Sequence, residues 1–277
     1  MTFVDSSRTV RYPGENPQPR RLVTIVRYPM AGSPSRADIS NAAPLRRAGR
    51  FPLVVFGHGF AVTPGIYAPL LRYWARAGYV VAAPIFPLGN ANAPGGPNES
   101  DLINQPRDMS FVITRMLAAG ASSSGPFAGL IDPHEIAVSG QSDGGDTALT
   151  AAYHSGFRDA RIGAAAILSG QEIPGLGGYD FPPGSPPLLA TQGLADTINL
   201  PSTTFAFFDA ARTPKYLLTM PGAPHLPPYT DEQPQLRIVE RVTVDFLNGY
   251  LKRTRGALAR MAAAGNAPET ARLRGES

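Results

Sequence analysis

The sequence predicts an α/β fold, a mostly parallel and twisted β-sheet covered by helices on both faces. Two observations predict it. Short apolar runs, typical of strands buried on both faces, alternate along the 277-residue chain with stretches whose apolar residues recur at helical spacing. Gly and Pro residues separate these stretches. Parallel strands need a crossover connection, usually a helix, so this alternation indicates a mostly parallel sheet.

Each element is predicted from its own pattern. The strands are short apolar or alternating runs; these are 22–27, 52–56, 79–83, 135–139, 162–168, 187–191 and 216–220. The helices have apolar residues at helical spacing, several with Gly or Pro near an end; these are 67–77, 106–119, 143–153, 202–211 and 232–251. Segments 86–104 and 169–187 are rich in Gly and Pro and are predicted loops, the second a lid or rim over a site.

The composition sets limits on organisation and partners. We expect a single domain over residues 1–251, followed by a basic tail over residues 252–277. The tail carries six basic and two acidic residues, so the rest of the chain is neutral and does not predict a nucleic-acid or membrane-surface partner. There is no cysteine, which excludes a thiol nucleophile, thiolate metal sites and disulfides.

The sequence contains no run of about 18 apolar residues that would span a membrane. It opens with no charged-then-apolar leader pattern. Two locations are therefore compatible with it: the cytoplasm, or secretion with a leader removed.

The strongest chemical signal is Gly140-Gln141-Ser142-Asp143-Gly144-Gly145, between the predicted strand 135–139 and the predicted helix 143–153. A G-x-S-x-G pattern in this position predicts a nucleophile elbow, a turn so tight that glycines must flank the serine. The elbow holds the hydroxyl at a helix N-terminus, where the helix dipole favours developing negative charge. The pattern therefore predicts Ser142 as a nucleophile, with an ordinary small-residue turn as the alternative.

A serine hydroxyl needs a general base, and the chain has four histidines to supply it: His58, His134, His154 and His225. The elbow motif goes with the chain order Ser, acid, His, so the base is expected after Ser142. His154 lies at the far end of the helix that the serine opens, ~18 Å away along its axis. His225, in a loop after the predicted strand 216–220, is the expected base.

The acid that orients the base is expected between Ser142 and His225. Seven residues are available: Asp143, Asp146, Asp159, Glu172, Asp180, Asp196 and Asp209. Asp196 follows the strand 187–191 at the carboxyl end of the sheet, where sites in open α/β folds gather, and it is the predicted acid. Asp180, in the predicted rim loop, is the second choice.

Two backbone N–H groups are expected to bind the oxyanion that forms during attack on a carbonyl group. One is the amide of Asp143, the residue after the nucleophile. The other is expected in the loop Gly57–Phe60, with the Phe60 amide as the predicted donor and the Ala61 amide as the alternative. His58 precedes the serine in the chain, so we interpret it as shaping this loop.

Together, Gly57–Phe60, the elbow 140–145, Gly193–Asp196 and His225 resemble the lipase and esterase branch of the α/β-hydrolases. The resemblance spans roughly residues 20–250. It is nearest to bacterial relatives of the platelet-activating-factor acetylhydrolases, the chlorophyllases and the cutinase-like polyester hydrolases. It implies the α/β-hydrolase fold and a serine esterase without metal or cofactor, often secreted in bacteria.

The sequence departs from these families at two places. Many members have His before the elbow serine and a small or apolar residue after it, where this chain has Gln141 and Asp143. Polyester hydrolases tend to have a tryptophan after the strand that follows the elbow helix, where this chain has 168–171 without one. Polyester cleavage is therefore the less favoured activity.

The predicted function is hydrolysis of small or lipid-like carboxylic esters through an acyl-enzyme on Ser142. Apolar residues of the loops that should surround the site are the predicted substrate contacts: Phe60, Phe86 and Leu226. Three alternatives use the same fold: a cutinase-like polyester hydrolase, an acyltransferase or amidase with the same triad, and a non-catalytic binding protein. The oligomeric state is left open.

Overall fold

The computed structural model describes residues 1–33, 35 and 37–276. The strands are Thr2–Val10 (β1), Gln18–Arg27 (β2), Phe51–Gly57 (β3), Val80–Ile85 (β4), Ile131–Gln141 (β5), Ala164–Leu168 (β6), Leu188–Gly193 (β7), Lys215–Met220 (β8) and Arg272–Glu276 (β9). The α-helices are Ala68–Arg76 (α1), Gln105–Ala121 (α2), Asp143–Tyr153 (α3), Pro201–Ala210 (α4), Gln235–Tyr250 (α5) and Ala257–Gly265 (α6). Three short 3-10 helices join them: Arg46–Ala48, Glu99–Asn104 and Pro227–Tyr229.

The nine strands of the described residues form one sheet, in the order β1-β2-β4-β3-β5-β6-β7-β8-β9. The strands from β4 to β8 in this order pair in parallel, whereas β1, β2 and β9 pair antiparallel at the two edges. Every residue of β3 and of β7 is buried, as expected for strands with helices on both sides. The predicted α/β class, with a mostly parallel sheet, is confirmed.

The sheet separates two hydrophobic clusters, because alternate side chains of a strand point to opposite faces. Leu53 and Val55 of β3 contribute to the cluster under α2, α3 and α4. Val54 and Phe56 contribute to the cluster under α1, α5 and α6. The helices therefore cover both faces, and the loops at the carboxyl ends of the parallel strands remain available for a site.

A buried ion network fixes one of these loops. The Arg20 guanidinium of β2 donates to the Asp101 carboxylate at 2.6 and 2.9 Å and to the Asp108 carboxylate at 2.7 Å from two nitrogens. Arg8 of β1 also donates to Asp108, at 2.7 Å. Asp101 lies in the 3-10 helix that ends the segment 86–104, so the network attaches that segment to the edge of the sheet.

Two parts of the chain differ from the sequence-based expectation. β1 was not predicted, because its buried positions include only two apolar residues, Phe3 and Val10, in a polar run. Residues 252–276, expected as part of a solvated tail, contain α6 and β9; β9 pairs with β8 and its Leu273 packs against the cluster under α5. Within the described ranges, no helix is long and apolar enough to cross a membrane.

Candidate active site

The candidate site lies where the central parallel strands end. Ser142 lies between β5 and α3 as the N-cap of that helix, Asp196 follows β7, and His225 follows β8. The loop that begins at His58 follows β3. The carboxyl ends of parallel strands meet at one edge of the sheet, which brings residues far apart in the chain together.

The turn between β5 and α3 has the strained geometry that an elbow requires. Ser142 has φ +56° and ψ −129°, a conformation that residues with a side chain rarely adopt. A Cβ atom on Gly140 would lie 2.0 Å from the carbonyl oxygen of Gly144, and one on Gly144 would lie 2.1 Å from the carbonyl oxygen of Gly57. Glycine is therefore required at both positions because backbone atoms occupy the space.

The three predicted catalytic side chains form a hydrogen-bonded chain. Ser142 Oγ lies 2.8 Å from His225 Nε2, and His225 Nδ1 lies 2.7 Å from Asp196 Oδ2. An ionised carboxylate only accepts hydrogen bonds, so Nδ1 carries the ring proton and Nε2 is free to accept the serine proton. This arrangement can remove a proton from the Ser142 hydroxyl.

Asp196 is held in its ionised form. Burial acts to raise the pKa of Asp196, but hydrogen bonds from His225, the Ile198 amide and Gln192 outweigh it and keep that pKa below its usual value. The Ile198 and Asn199 amides donate to Asp196 Oδ1 at 2.9 and 3.1 Å. By contrast, the second-choice acid Asp180 is exposed and makes no hydrogen bond to His225 in the described part of the chain.

His58 orients the peptide bond between Gly59 and Phe60. Its Nε2 accepts from the Phe86 amide at 3.0 Å, so its Nδ1 carries the proton and donates to the Gly59 carbonyl at 2.8 Å. Burial lowers the pKa of His58 to about 4, which keeps the ring neutral and this pattern intact at neutral pH. The Phe60 N–H belongs to the same peptide unit as the Gly59 carbonyl and therefore points the opposite way.

The amides of Phe60 and Asp143, the predicted oxyanion donors, differ from the alternative donor, the Ala61 amide, in their hydrogen bonds. The Ala61 amide donates to the Gly89 carbonyl at 2.8 Å and is already used. The Phe60 and Asp143 amides donate to no other residue among those described. Neither N–H group is therefore used by another residue, although the Asp143 amide also interacts with its own carboxyl group. The oxyanion role of the two amides stays a prediction.

The raised pKa of the Asp143 carboxyl group is a feature that the sequence did not indicate. It is 7% exposed, and its Oδ2 has no hydrogen-bond partner in the described structure. Burial, assisted by the nearby Glu99 carboxylate, raises the pKa of Asp143 to about 6. The site therefore holds a carboxyl group, one residue after the serine, that ionises near neutral pH.

The predicted substrate contacts lie in different environments. Phe60 is 37% exposed and Leu226 is half-buried, so both can border a cleft. Phe86 is completely buried and its ring packs against His58 at a centroid distance of 4.9 Å. The prediction of Phe86 as a substrate contact is therefore wrong, because the ring is fully buried in the core against His58.

The described residues contain no group of three or more His, Asp or Glu side chains arranged to hold a metal ion.

The chain belongs to the chlorophyllase family, whose sequence model matches residues 26–180. This is a family of α/β-hydrolase-type esterases, and membership supports a general ester hydrolase activity. The matched region contains the elbow and the His58 loop but ends before Asp196 and His225. No curated protein matches the chain. The resemblance to platelet-activating-factor acetylhydrolases and polyester hydrolases stays a prediction.

Proposed function

We propose that the protein is a serine carboxylic-ester hydrolase of the α/β-hydrolase fold that acts through an acyl-enzyme on Ser142. The observation that carries this proposal is the continuous chain of hydrogen bonds from Ser142 through His225 to Asp196. The strained conformation of Ser142 and its place at the start of α3 support the same assignment.

In the first half of the reaction, Ser142 Oγ attacks the ester carbonyl carbon while His225 Nε2 takes the hydroxyl proton. The resulting tetrahedral oxyanion accepts hydrogen bonds from the Phe60 and Asp143 amides, each worth roughly 3 kcal/mol of barrier. The bond to the alkoxy group then breaks. His225 returns the proton to the leaving alcohol, and the acyl group remains on Ser142.

In the second half, water attacks the acyl carbon and His225 takes a proton from it. The second tetrahedral intermediate uses the same two amides. Its collapse releases the carboxylic acid, and His225 returns the proton to Ser142 Oγ. Asp196 stays ionised throughout and stabilises the imidazolium form of His225, consistent with its lowered pKa.

The surroundings of the site favour an uncharged, apolar ester. Phe60 and Leu226 offer apolar surface next to the site. The Glu99 carboxylate lies close enough to Asp143 to raise the pKa of its carboxyl group, so an anionic acyl group next to Asp143 would be repelled. We therefore propose small or lipid-like neutral esters as the substrate class.

The test uses p-nitrophenyl esters of graded acyl length together with a fluorophosphonate that labels activated serines. We expect Ser142→Ala to lose both labelling and turnover, with kcat lowered about 10⁶-fold, to below the detection limit. Ser139→Ala is the matched control, since Ser139 is a buried serine of β5, the strand that precedes Ser142, and its hydroxyl donates to the Ala166 carbonyl. This control should keep both signals.

Two results would contradict the proposal. Turnover that persists in folded Ser142→Ala would exclude Ser142 as the nucleophile. A wild-type protein that is neither labelled nor active on any ester of the series would favour a non-catalytic role for the fold.

A further inference from the structure

A buried relay connects the two halves of the candidate site. The Gly59 amide donates to the Tyr67 hydroxyl at 3.2 Å, and that hydroxyl donates to Gln141 Oε1 at 2.7 Å. Gln141 Nε2 in turn donates to the His225 carbonyl at 3.0 Å. Gln141 and Tyr67 are 1% and 0% exposed, so no solvent competes for these bonds.

The relay fixes the orientation of the Gln141 amide. The Tyr67 hydroxyl accepts from the Gly59 amide, so its own proton is directed to Gln141 and must meet an acceptor, which is Oε1. The NH₂ group therefore faces the loop that carries His225. It lies 3.0 Å from the His225 carbonyl and 3.3 Å from His225 Nε2.

Each end of the relay reaches a group with a defined task in the proposed reaction. At one end, Gly59 carries the carbonyl that His58 holds, and the Phe60 N–H lies in the same peptide unit. At the other end, the His225 backbone determines where the imidazole ring meets Ser142. The space is tight, because a Cβ on Gly59 would lie 3.1 Å from Gln141 Oε1 and 3.2 Å from the Tyr67 hydroxyl.

We propose that Gln141 is a positioning residue that, through Tyr67, couples the oxyanion loop to the loop carrying the general base. This proposal rests on the proposed function. Gln141 contacts the general base directly, at the His225 carbonyl and at Nε2, and it keeps the oxyanion donor and the imidazole in one arrangement around Ser142. Small displacements of such groups lower the rate of the chemical step much more than they weaken substrate binding.

The test is a double-mutant cycle with Gln141→Met and Tyr67→Phe, measured as kcat and KM on p-nitrophenyl butyrate. Methionine fills a similar volume without polar atoms, and phenylalanine removes only the hydroxyl. We expect each single variant to lower kcat about 10- to 100-fold while KM changes by less than about threefold. Because both variants break one relay, the double variant should lose little more than the worse single variant.

Tyr153→Phe is the matched control for the loss of a buried tyrosine hydroxyl. Tyr153 is 1% exposed and donates to the Pro186 carbonyl at 3.0 Å, at the far end of α3 from Ser142. Its kcat should remain within about twofold of the wild type, even where its melting temperature falls. The melting temperature of every variant is measured, so that loss of fold is distinguished from loss of positioning.

The outcomes separate this proposal from the proposed function. The coupling is overturned if the kcat losses of the two single variants multiply in the double variant. It is also overturned if those losses do not exceed the loss in Tyr153→Phe. In both cases the wild type remains an active esterase. Failure of the proposed function is seen instead in the wild type, as absence of Ser142-dependent turnover. If Gln141→Met does not fold, Tyr67→Phe alone decides, because the coupling requires its kcat to fall without a matching change in KM.

Discussion

Asp143 occupies a position where a charge affects both the fold and the proposed reaction. Its amide is a predicted oxyanion donor, and its carboxyl group is buried one residue from Ser142. Helix α3 stabilises a negative charge at its first residue, but burial opposes ionisation and outweighs that effect, since the pKa of Asp143 rises to about 6. The fold therefore holds this group in its neutral form at mildly acidic pH.

This raised pKa predicts a pH-dependent stability difference between Asp143→Asn and the wild type. In the unfolded chain the carboxyl ionises near its ordinary pKa of 3.8, whereas in the folded chain it ionises only near 6. The wild type is therefore destabilised as the pH rises from about 4 to about 6, by roughly 3 kcal/mol in total, and the loss stays constant above that range. An uncharged asparagine does not have this cost.

We expect urea unfolding, followed by Trp74 fluorescence, to show Asp143→Asn gaining stability relative to the wild type between pH 4 and pH 7. Asp180→Asn, which removes an exposed carboxyl group, is the control for the loss of one negative charge. A stability difference that stays constant over this pH range would show that the carboxyl of Asp143 is not held neutral by the fold.

The residue scale also shows how far the sequence predicts the candidate site. The elbow pattern and the chain order of serine, acid and histidine predicted three side chains that the structure brings within hydrogen-bond distance. The same patterns did not indicate the roles of Gln141 and Tyr67, because their relay depends on contacts between residues 74 positions apart. Their buried polar groups become visible only when the hydrogen-bond partners are known.

At the scale of elements, the site depends on the close approach of β3, β5 and α3. Gly57, Gly140 and Gly144 allow these backbones to approach so closely that a Cβ atom on any of them would lie within 3 Å of a neighbouring backbone atom. This contact positions the N-terminus of α3, and hence the Asp143 amide, next to the loop that carries the Phe60 amide. The contact is thus a structural requirement of the proposed oxyanion site.

Gly144→Ala should therefore disrupt both the fold and the activity. The added Cβ would lie 2.1 Å from the Gly57 carbonyl oxygen, and neither backbone can move without displacing α3 or β3. We expect a loss of about 3 kcal/mol or more in the free energy of unfolding, together with loss of ester turnover. Both are measured by urea unfolding and by p-nitrophenyl butyrate hydrolysis.

The matched control for this substitution is Gly163→Ala. A Cβ on Gly163 would lie 3.4 Å from the nearest atom, the Leu251 side chain, which is an ordinary contact at a flexible group. If both variants lost the same stability, the close approach at Gly144 would not be the cause.

Prediction of the elements depended on how each one is buried. Central strands such as β3 were predicted because burial on both faces requires a continuous apolar run, and α3 was predicted at Asp143–Tyr153 because its start is marked by the elbow. The edge strands β1 and β9 were not predicted. They bury few side chains and are held mainly by backbone hydrogen bonds, which leave no pattern in the sequence.

At the scale of the whole molecule, the C-terminal residues complete the sheet. The number of charged residues predicts a solvated tail from Lys252 onward. It does not show whether the backbone of this segment pairs with a strand. Five residues of β9 pair with β8, while Lys215 and Arg274 form ion pairs with Glu276 and Asp209 at 3.5 and 3.2 Å. We propose that residues 252–276 are part of the same folded unit as the rest of the chain.

Deletion of residues 268–277 tests this proposal. It removes the strand pairing with β8 and the contact of Leu273 with Gly265 and the core under α5. We expect the melting temperature to fall by about 10 °C, because several hydrogen bonds and the packing of one partly buried leucine are lost. Exposure of the β8 edge should also increase aggregation, measured by light scattering. The kcat at 25 °C should remain within about threefold, because β7 still holds β8 and thereby the His225 loop.

The double variant Arg272→Ala/Arg274→Ala distinguishes the contribution of the backbone pairing of β9 from the contribution of its charged side chains. It removes two positive charges from β9 but leaves the backbone pairing with β8 intact. Since surface ion pairs contribute little, we expect its melting temperature to fall by less than about 3 °C. A fall as large as that of the deletion would show that the C-terminal residues act through their charge. A deletion with unchanged melting temperature would show that β9 is not part of the stable sheet.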